Sequence, residues 1–357
     1  MPSRGSVLVA MSGGVDSSVA ACLLMKAGYE VLGSHLKLVD TGGVEHGCCG
    51  PQAETDARAV AETAGFPFEV ADMGDVFAER VIADFVAESE GGRTPNPCVR
   101  CNEGIKFGAF LDRADALGMD FVASGHYVRT SRDRGGTWHL YRGLDRSKDQ
   151  SYVLHPLGQE QLARSLFPVG EQTKAETRAH ARRFGLPVAE KRDSQELCFA
   201  PAGDADAFLE SHAPHLAREG DVVDPGGRVL GRHRGSFRYT IGQRRGLGVS
   251  TGERSYVVEI DSKANRVVVG PSELLARRGL VAERVNWITG SPTGPFEADV
   301  RIRYNGSDAP AVVDPEGATS ARVEFRTPQR AVAPGQSVVF YSRDEVVGGG
   351  VIETAIA

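Results

Sequence analysis

Ala10-Met-Ser-Gly-Gly-Val-Asp-Ser-Ser18 follows directly on the apolar run Val7-Leu8-Val9. A buried strand therefore runs into a glycine-rich turn and then into a helix. Ser12, Gly13 and Gly14 let successive backbone N–H groups curl around an anion, and the start of the next helix adds its partial positive charge. Glycine is required because a Cβ would keep a phosphate away from the backbone. The turn lacks the Gly-Lys-Ser/Thr ending of a Walker A loop. A plainer reading has Ser12 and Asp16 capping the helix while the glycines make a turn.

Working outward, strand and helix patterns alternate. Strands are predicted at 7–11, 31–38, 67–71 and 121–124. Helices are predicted at 17–27, 52–64, 75–89 and 104–117, the first with Val19, Ala20, Leu23 and Leu24 at helical spacing and a stop at Gly28. This alternation predicts an α/β fold, a doubly wound parallel sheet with ligands at the carboxyl ends of its strands. The turn at 12–14, Gly125 and His126 all fall at such ends. Helical character continues at 173–184 and 204–211. Beyond about 219 come short strands between Gly, Pro, Asp and Asn: 229–230, 236–240, 256–260, 266–269, 281–287, 298–304, 322–325 and 337–341. The expected organisation is a catalytic α/β domain over 1–203, a central β-rich connector over 204–275 and a barrel-like β domain over 276–357.

The bulk numbers narrow the class. The chain has 357 residues, is 41% hydrophobic and 25% charged, and carries a net charge of −6. That is the composition of a soluble globular protein with two or three domains. No apolar run reaches the roughly 18 residues of a membrane span, and the N-terminus enters a core strand without the pattern of a signal peptide. Six cysteines in such a chain are expected to be reduced, in a cytoplasmic protein, and available for chemistry. The net charge argues weakly against nucleic acid, but a local patch overrides a whole-chain balance. The stretch 228–245 is such a patch: six arginines, no acidic residue, and Phe237 and Tyr239 interleaved. It suits phosphate contacts with base stacking, or else it is the solvated face of a hairpin.

Two cysteine-bearing stretches stand out. In Arg93-Thr-Pro-Asn-Pro-Cys-Val-Arg-Cys-Asn102 a proline-stiffened loop leads into a helix, and Cys101 is expected just before that helix, where the dipole favours thiolate. In Lys191-Arg-Asp-Ser-Gln-Glu-Leu-Cys-Phe199, Cys198 follows a basic pair. Two cysteines in separate loops suggest sulfur chemistry in which one carries or attacks and the other resolves. The Cys98-x-x-Cys101 spacing also fits a zinc knuckle, which Cys48 and Cys49 could complete. Cys22, on the apolar side of the first helix, reads as core. A synthetase adenylating a small metabolite would share the phosphate loop but need neither paired cysteines nor a basic β module, and a zinc-containing RNA-binding protein would need no ATP.

Ser12-Gly-Gly-Val-Asp-Ser17 resembles the loop of the ATP pyrophosphatase (PP-loop) superfamily, whose members release pyrophosphate and leave AMP on a substrate oxygen. In order along the chain come Gly92-Arg-Thr-Pro-Asn-Pro97, Cys101-Asn102, Ile105-Lys-Phe107, Gly125-His-Tyr127, Arg142-Gly-Leu-Asp145, Lys148-Asp-Gln-Ser-Tyr152, Asp193-Ser194 with Cys198-Phe199, and Thr240-Ile-Gly-Gln-Arg-Arg-Gly-Leu-Gly248. Together with Pro334-Gly-Gln-Ser337 and Gly348-Gly-Gly350, the set is similar to the bacterial tRNA 2-thiouridylase family over essentially the whole chain.

The resemblance implies an adenine-nucleotide-α-hydrolase-like sheet and a sulfurtransferase that acts on wobble uridine 34 in the anticodon stem-loop of tRNAs for Lys, Glu and Gln. ATP, with Mg2+, would adenylate the C2 oxygen. Cys198 would carry a persulfide supplied by a sulfur-relay donor protein or a cysteine desulfurase, and Cys101 would be the partner nucleophile that closes a disulfide as the product leaves. The implied ATP site is Ala10, Met11, Ser12, Gly13, Gly14, Val15, Asp16, Ser17, Leu36 (a methionine position in the family) and Gly125. The implied tRNA contacts are His126, Lys148, Asp149, Gln150, Arg303, Tyr304 and Gln336. A base has to leave its stack to be thiolated, and an anticodon loop is the single-stranded kind of RNA that proteins read best. Without the resemblance, His126 reads as a structural histidine, Lys148 to Gln150 as an ordinary turn, and Lys106 and Lys174 as helix decoration or phosphate neutralisers. One departure is Cys98, where some members carry an Asp. Cys98, Cys101 and Cys198 could instead hold a [4Fe–4S] cluster with one iron open to sulfide.

Overall fold

The computed structural model describes residues 4–39, 50–193, 197–200, 204–249 and 253–357. Cys48, Cys49 and Ser194 lie outside the described residues. The chain divides into two compact units, one of Met1–Val81, Cys98–Asp204 and Asp344–Val346, the other of Ile82–Pro97, Ala205–Arg343 and Val347–Ala357. In chain order the helices are α1 (Val15–Lys26), α2 (Pro51–Ala64), α3 (Gly74–Phe77), α4 (Ala83–Glu90), α5 (Pro97–Cys101), α6 (Phe110–Ala116), α7 (Gln159–Ala163), α8 (Lys174–Arg183) and α9 (Ala205–His212).

The first unit is built on a five-stranded sheet of β1 (Ser6–Ala10), β2 (Glu30–Lys37), β3 (Phe68–Asp72), β4 (Phe121–Ala123) and, beyond the hairpin β5 (Val128–Arg132) and β6 (Trp138–Arg142), β7 (Ser165–Leu166). The strand order is β3-β2-β1-β4-β7, and every pairing is parallel. The central strand explains the arrangement. Val7, Leu8 and Val9 are wholly buried, as expected of a strand covered on both faces. The order reverses on either side of β1, so the crevice between the carboxyl ends of β1 and β4 is the topological switch point where such sheets take ligands. The expected doubly wound sheet is present.

Local sequence sets the helix limits. Pro51 supplies the fixed φ of a first helical turn, and Gly65 closes α2 at φ +80. Thr173 and Glu176 form a capping box at the start of α8: the Thr173 hydroxyl accepts from the Glu176 N–H, and Glu176 accepts from the Thr173 N–H at 2.7 Å. The first residue inside that cap is Lys174.

The helix expected to start at 104 starts at Pro97. It runs through α5 into a π-helical stretch at Asn102–Ala109, kinked at Phe107, and on into α6. Pro97 is a helix starter here as well as a stiffener of the loop before it. Cys101 therefore sits inside a continuous helical run, and Cys98 occupies its first turn. The hairpin β5–β6 has no counterpart in the sequence reading, because Arg129, Arg132 and Arg142 interrupt its apolar pattern, Arg142 being buried in the fold. In the same unit Glu345 pairs with Tyr141 of β6.

The second unit holds two β modules. A four-stranded sheet is made of β8 (Gly220–Val223), β9 (Val229–His233), β10 (Tyr256–Asp261) and β11 (Arg266–Gly270), in the order β10-β11-β8-β9. The strand expected at 236–240 is a short 3-10 turn, Ser236–Arg238, because Gly235 at φ +135 ends the extended run. The other module comprises β12 (Ala276–Trp287), β13 (Phe296–Arg301), β14 (Ala309–Pro315), β15 (Ala321–Arg330), β16 (Ser337–Ser342) and β17 (Glu345–Ile356), which close into a six-stranded barrel through the β12–β17 pairing. Alternate residues point inward, as in Ala309, Ala311 and Val313 against Ala321, Val323 and Phe325. No helix among the described residues is long and apolar enough to cross a membrane.

Candidate active site

The site is built at the switch point of the first unit. After β1 the chain turns through Ser12, Gly13 and Gly14. Gly13 has φ +66, and a Cβ there would stand 2.3 Å from the Ala53 carbonyl of α2. Gly14 is the N-cap of α1 and carries no side-chain cap. The capping reading of Ser12 and Asp16 is therefore not what forms. Ser17 instead turns its hydroxyl back to Ser12, whose N–H donates to it at 3.2 Å, and Ser18 donates to the Gly14 carbonyl at 2.8 Å. The start of α1 presents backbone N–H groups without a side-chain acceptor, the arrangement that suits phosphate.

The end of β4 closes on the same turn. A Cβ on Gly125 would lie 2.5 Å from the Ser17 nitrogen and 2.7 Å from the Asp16 carbonyl carbon. Glycine is what allows the two backbones to touch. Among the other expected nucleotide residues, Met11, Val15 and Leu36 are buried. The Met11 carbonyl faces His35 Nδ1 at 3.0 Å, and Leu36 pairs with Ala71 on β3. Ala10 ends β1 beside Ser34.

Charge is concentrated around the first turn of α1. Lys174 Nζ donates to both Asp16 oxygens, at 2.7 and 2.8 Å, and lies 2.7 Å from Asp193 Oδ1. Tyr127 donates its hydroxyl to Asp16 at 2.8 Å, and burial, with the nearby Asp16 charge, pushes that phenol far above its ordinary pKa. Asp193 also receives Lys148 at 2.7 Å and Arg178 at 3.2 Å. Burial raises the Asp193 carboxyl, but its hydrogen bonds to Lys148 and Lys174 outweigh that and hold it below the usual carboxylate range. Lys191 donates to the Gly13 carbonyl at 3.1 Å and pairs with Asp56. Lys174, read from the sequence as helix decoration or a contact for tRNA phosphate, is instead spent on two carboxylates. Tyr127, Arg178 and Asp193 were not expected in the site; the capping box ahead of Lys174 was the one local signal for its placement.

His126 is buried against Phe107, with Nδ1 2.7 Å from the Ser124 hydroxyl. Burial, helped by the nearby Lys106 charge, holds its pKa well below 6.5, so the ring is neutral. Asp149 is also buried. Its Oδ1 accepts from the Gly143 and Ser151 N–H groups, and Arg142 lies 3.9 Å away. Gln150 accepts the Tyr127 N–H at 3.0 Å. Lys148, Asp149 and Gln150 thus form a tightly bonded turn. It leads into Ser151–Val153, where the Val153 carbonyl accepts from Asn102, the residue after Cys101.

The four described cysteines, Cys22, Cys98, Cys101 and Cys198, are unbridged. Burial pushes the Cys22 thiol up to about 11, as befits a core side chain. Cys98 is exposed, Cys101 buried and Cys198 half-buried. Cys198 lies in a turn anchored by Phe199, whose ring packs edge-on against Phe77 at 5.7 Å. Among the described residues no three His, Cys, Asp or Glu side chains are grouped to hold a metal ion. Cys98, Cys101 and Cys198 are thus not grouped for an iron–sulfur cluster, and no group among the described residues joins the Cys98–Cys101 pair to complete a zinc site.

The remaining expected contacts are in the second unit. Arg303 donates to the carbonyls of Arg330 and Ala331, and Tyr304 is 40% exposed. Gln336 donates to the Thr94 carbonyl at 2.9 Å, which ties it to the proline-stiffened loop. In the basic stretch, Arg228, Arg232 and Arg238 pair with Asp224, Glu219 and Glu210. Arg234, Arg244 and Arg245 are exposed. Arg238 lies over Phe237 at 5.0 Å, and Tyr239 packs edge-on against His233. Half of the six arginines are already neutralised within the fold.

Three family models match the chain: a tRNA methyl transferase HUP domain over residues 5–202, a tRNA methyl transferase PRC-barrel domain over 206–271, and an aminomethyltransferase beta-barrel domain over 277–352. The chain is 48% identical to the tRNA-specific 2-thiouridylase MnmA of Geobacter metallireducens, over 99% of this chain and 98% of that one. It is 49% identical to the protein of the same name from Moorella thermoacetica, over 97% and 99%, and 49% identical to that of Acidothermus cellulolyticus, over 97% of each. Among solved structures, a 4-thiouridine synthetase–RNA complex with bound ATP aligns at 16% identity over 60% of this chain and 52% of that one, with a TM-score of 0.35.

Two predictions come from this geometry. Gly125→Ala should displace the first turn of α1 at an overpacking cost of about 1–3 kcal/mol, weakening ATP binding roughly ten- to hundredfold. Calorimetric titration checks this, and unchanged affinity would mean the nucleotide lies elsewhere. For His126, the unfolded state binds a proton near 6.5 that the native state refuses. Stability is therefore full above that pH and falls as the pH drops below it, by up to ~1.4 kcal/mol per unit. His126→Asn should flatten that slope in urea melts between roughly pH 6.5 and 5; an unaltered slope would mean the native ring already takes up the proton.

Proposed function

The chain belongs to the tRNA-specific 2-thiouridylase family, and from that premise we propose that it converts uridine 34 of tRNAs for Lys, Glu and Gln to 2-thiouridine with ATP. At the coarser level the chain is a tRNA-thiolating enzyme with an ATP-using nucleotide domain. The observation that carries the nucleotide half is the uncapped start of α1 at the switch point, closed on one side by Gly125.

In this reading ATP enters as its Mg2+ complex with its phosphates on the N–H groups of Gly13 to Ser17. Asp16 fits the metal, since its carboxylate already holds a cation in the form of the Lys174 ammonium. The uridine C2 oxygen attacks the α-phosphorus, and pyrophosphate leaves. The oxygen then departs as part of AMP, a far better leaving group than oxide. The terminal sulfur of a Cys198 persulfide attacks C2, AMP is expelled, and the base is joined through a disulfide to Cys198. The Cys101 thiolate attacks Cys198 Sγ, the base leaves as the thiocarbonyl, and a Cys101–Cys198 disulfide remains for an external dithiol to reduce. The persulfide is renewed by a sulfur-relay protein or a desulfurase.

The neutral His126, the turn Lys148–Gln150, and Arg303, Tyr304 and Gln336 are assigned to tRNA. The exposed Arg234, Arg244 and Arg245 supply phosphate contacts. The same reading keeps the division at 203/204 and 275/276. It takes a persulfide on Cys198, rather than a cluster, as the sulfur carrier.

Cys198→Ser should abolish 2-thiouridine formation while ATP-dependent pyrophosphate release and tRNA affinity persist. Nucleoside mass spectrometry of the product tRNA tests this, and full thiolation by the variant would remove Cys198 as the carrier. Reversing Arg244 and Arg245 to Glu should weaken tRNA binding and flatten the plot of log affinity against log salt by about 1–2 units. An unchanged slope would mean that these side chains face only solvent.

A further inference from the structure

A backbone turn receives an anion only when its peptide planes face the right way. In a trans peptide the carbonyl oxygen and the N–H that follows it point to opposite sides. With a glycine at each end, the Gly13–Gly14 peptide is free on steric grounds to present either side. The turn is held from its carbonyls. The Met11 carbonyl meets His35 Nδ1 at 3.0 Å, and the Gly14 carbonyl accepts from the Ser18 hydroxyl at 2.8 Å. The Gly13 carbonyl accepts from the Lys191 ammonium at 3.1 Å. Lys191 therefore turns the Gly14 N–H away from itself, as Ser18 does the Val15 N–H, and both donors stand at the start of α1.

Lys191 reaches this carbonyl from a fixed base. Its own N–H donates to the Val188 carbonyl at 3.0 Å, and its carbonyl accepts from Arg178 at 3.0 Å. Val188 and Ala189 are buried in the core that also holds Val15 and Val19. The ammonium has a second partner, Asp56 Oδ2 on α2 at 2.5 Å, and Asp56 Oδ1 accepts from Gln52 at 2.7 Å. Both members of that ion pair are partly exposed, and such pairs contribute little to folding. The bond to Gly13 does more for an anion. A cation on a carbonyl polarises the peptide and makes its N–H a stronger donor. Nζ lies on the carbonyl side of that peptide, so it acts on an anion through the Gly14 N–H and not by touching it.

We propose that Lys191 is a positioning residue for the phosphates of ATP: by holding the Gly13 carbonyl it keeps the Gly14 N–H turned toward them. The proposal rests on the assignment of ATP to this turn. Without the lysine the Gly13–Gly14 peptide can turn over, and a carbonyl oxygen then faces the phosphate where an N–H should be.

The test is calorimetric titration of the full chain with Mg-ATP. Lys191→Met, which keeps the length of the side chain and removes the donor, should weaken ATP binding at least about tenfold. Lys191→Arg, which restores a cationic donor, should recover at least about half of that loss on the logarithmic scale. Asp56→Asn removes the ion pair but leaves the lysine on Gly13, and its loss should be less than about a third of that in Lys191→Met. Lys191→Gln, too short to reach the carbonyl, should behave as Lys191→Met and stands in for it if that variant fails to melt cooperatively. Full ATP affinity in a folded Lys191→Met overturns the proposal. Equal losses in Lys191→Met and Asp56→Asn, or no recovery in a folded Lys191→Arg, overturn it as well, because the lysine then serves the ion pair or the packing alone. An unaltered chain that does not bind ATP overturns the nucleotide assignment and the proposal with it.

Discussion

One ammonium group, Lys174 Nζ, ties together two carboxylates of the first unit that the sequence places far apart. It lies between Asp16 at the start of α1 and Asp193 on the approach to Cys198. Its position is fixed from below by the Thr173–Glu176 capping box, and its backbone N–H is held by Asp145 at 3.0 Å. The Lys174 side chain is 13% exposed and those of Asp16 and Asp193 29% and 24%. Charges this sheltered depend on one another, because partly buried pairs are screened far less than those in open solvent. Anything that draws Lys174 away has to supply another cation to Asp16.

The fold serves this arrangement by bringing backbones unusually close. Gly13 touches the Ala53 carbonyl, and Gly125 touches the first turn of α1. Neither contact tolerates a Cβ, so α1 starts where β1 and β4 end. The open N–H groups of α1 therefore face the crevice where the sheet order reverses. The second unit contributes different means: a closed barrel, a small four-stranded sheet, and a proline-stiffened loop whose Thr94 is gripped by Pro334 and Gln336. Gly335, between those two, has φ +90 and would press a Cβ within 2.7 Å of the Thr94 nitrogen. The Pro-Gly-Gln sequence is thus explained by a close backbone crossing within that unit.

Much of this could be read in the sequence, for identifiable reasons. The continuous apolar run of β1 and the alternation with helices gave the parallel sheet, because buried parallel strands have no polar face to blur the pattern. Strand–turn–helix spacing located the glycine turn between β1 and α1. Cys22 was legible as core from its place on the apolar side of α1. What stayed hidden depends on tertiary approach: the bridging of Asp16 and Asp193 by Lys174, the Tyr127 hydroxyl on Asp16, and the neutralisation of Arg228, Arg232 and Arg238 by acids outside the basic stretch. The helix start at Pro97 was misplaced because proline serves both to stiffen a loop and to open a helix. The strand expected at 236–240 gave way to the turn that Gly235 makes.

The central claim is that the phosphate loop exists to place AMP on the C2 oxygen of a tRNA uridine, which sulfur then displaces. The most direct measurement follows that oxygen. A tRNA carrying 18O at C2 of uridine 34 is thiolated with unlabelled ATP in ordinary water, and the AMP is weighed by mass spectrometry. The account predicts one 18O in AMP for each 2-thiouridine formed. Label appearing in water or pyrophosphate, with AMP unlabelled, would contradict it.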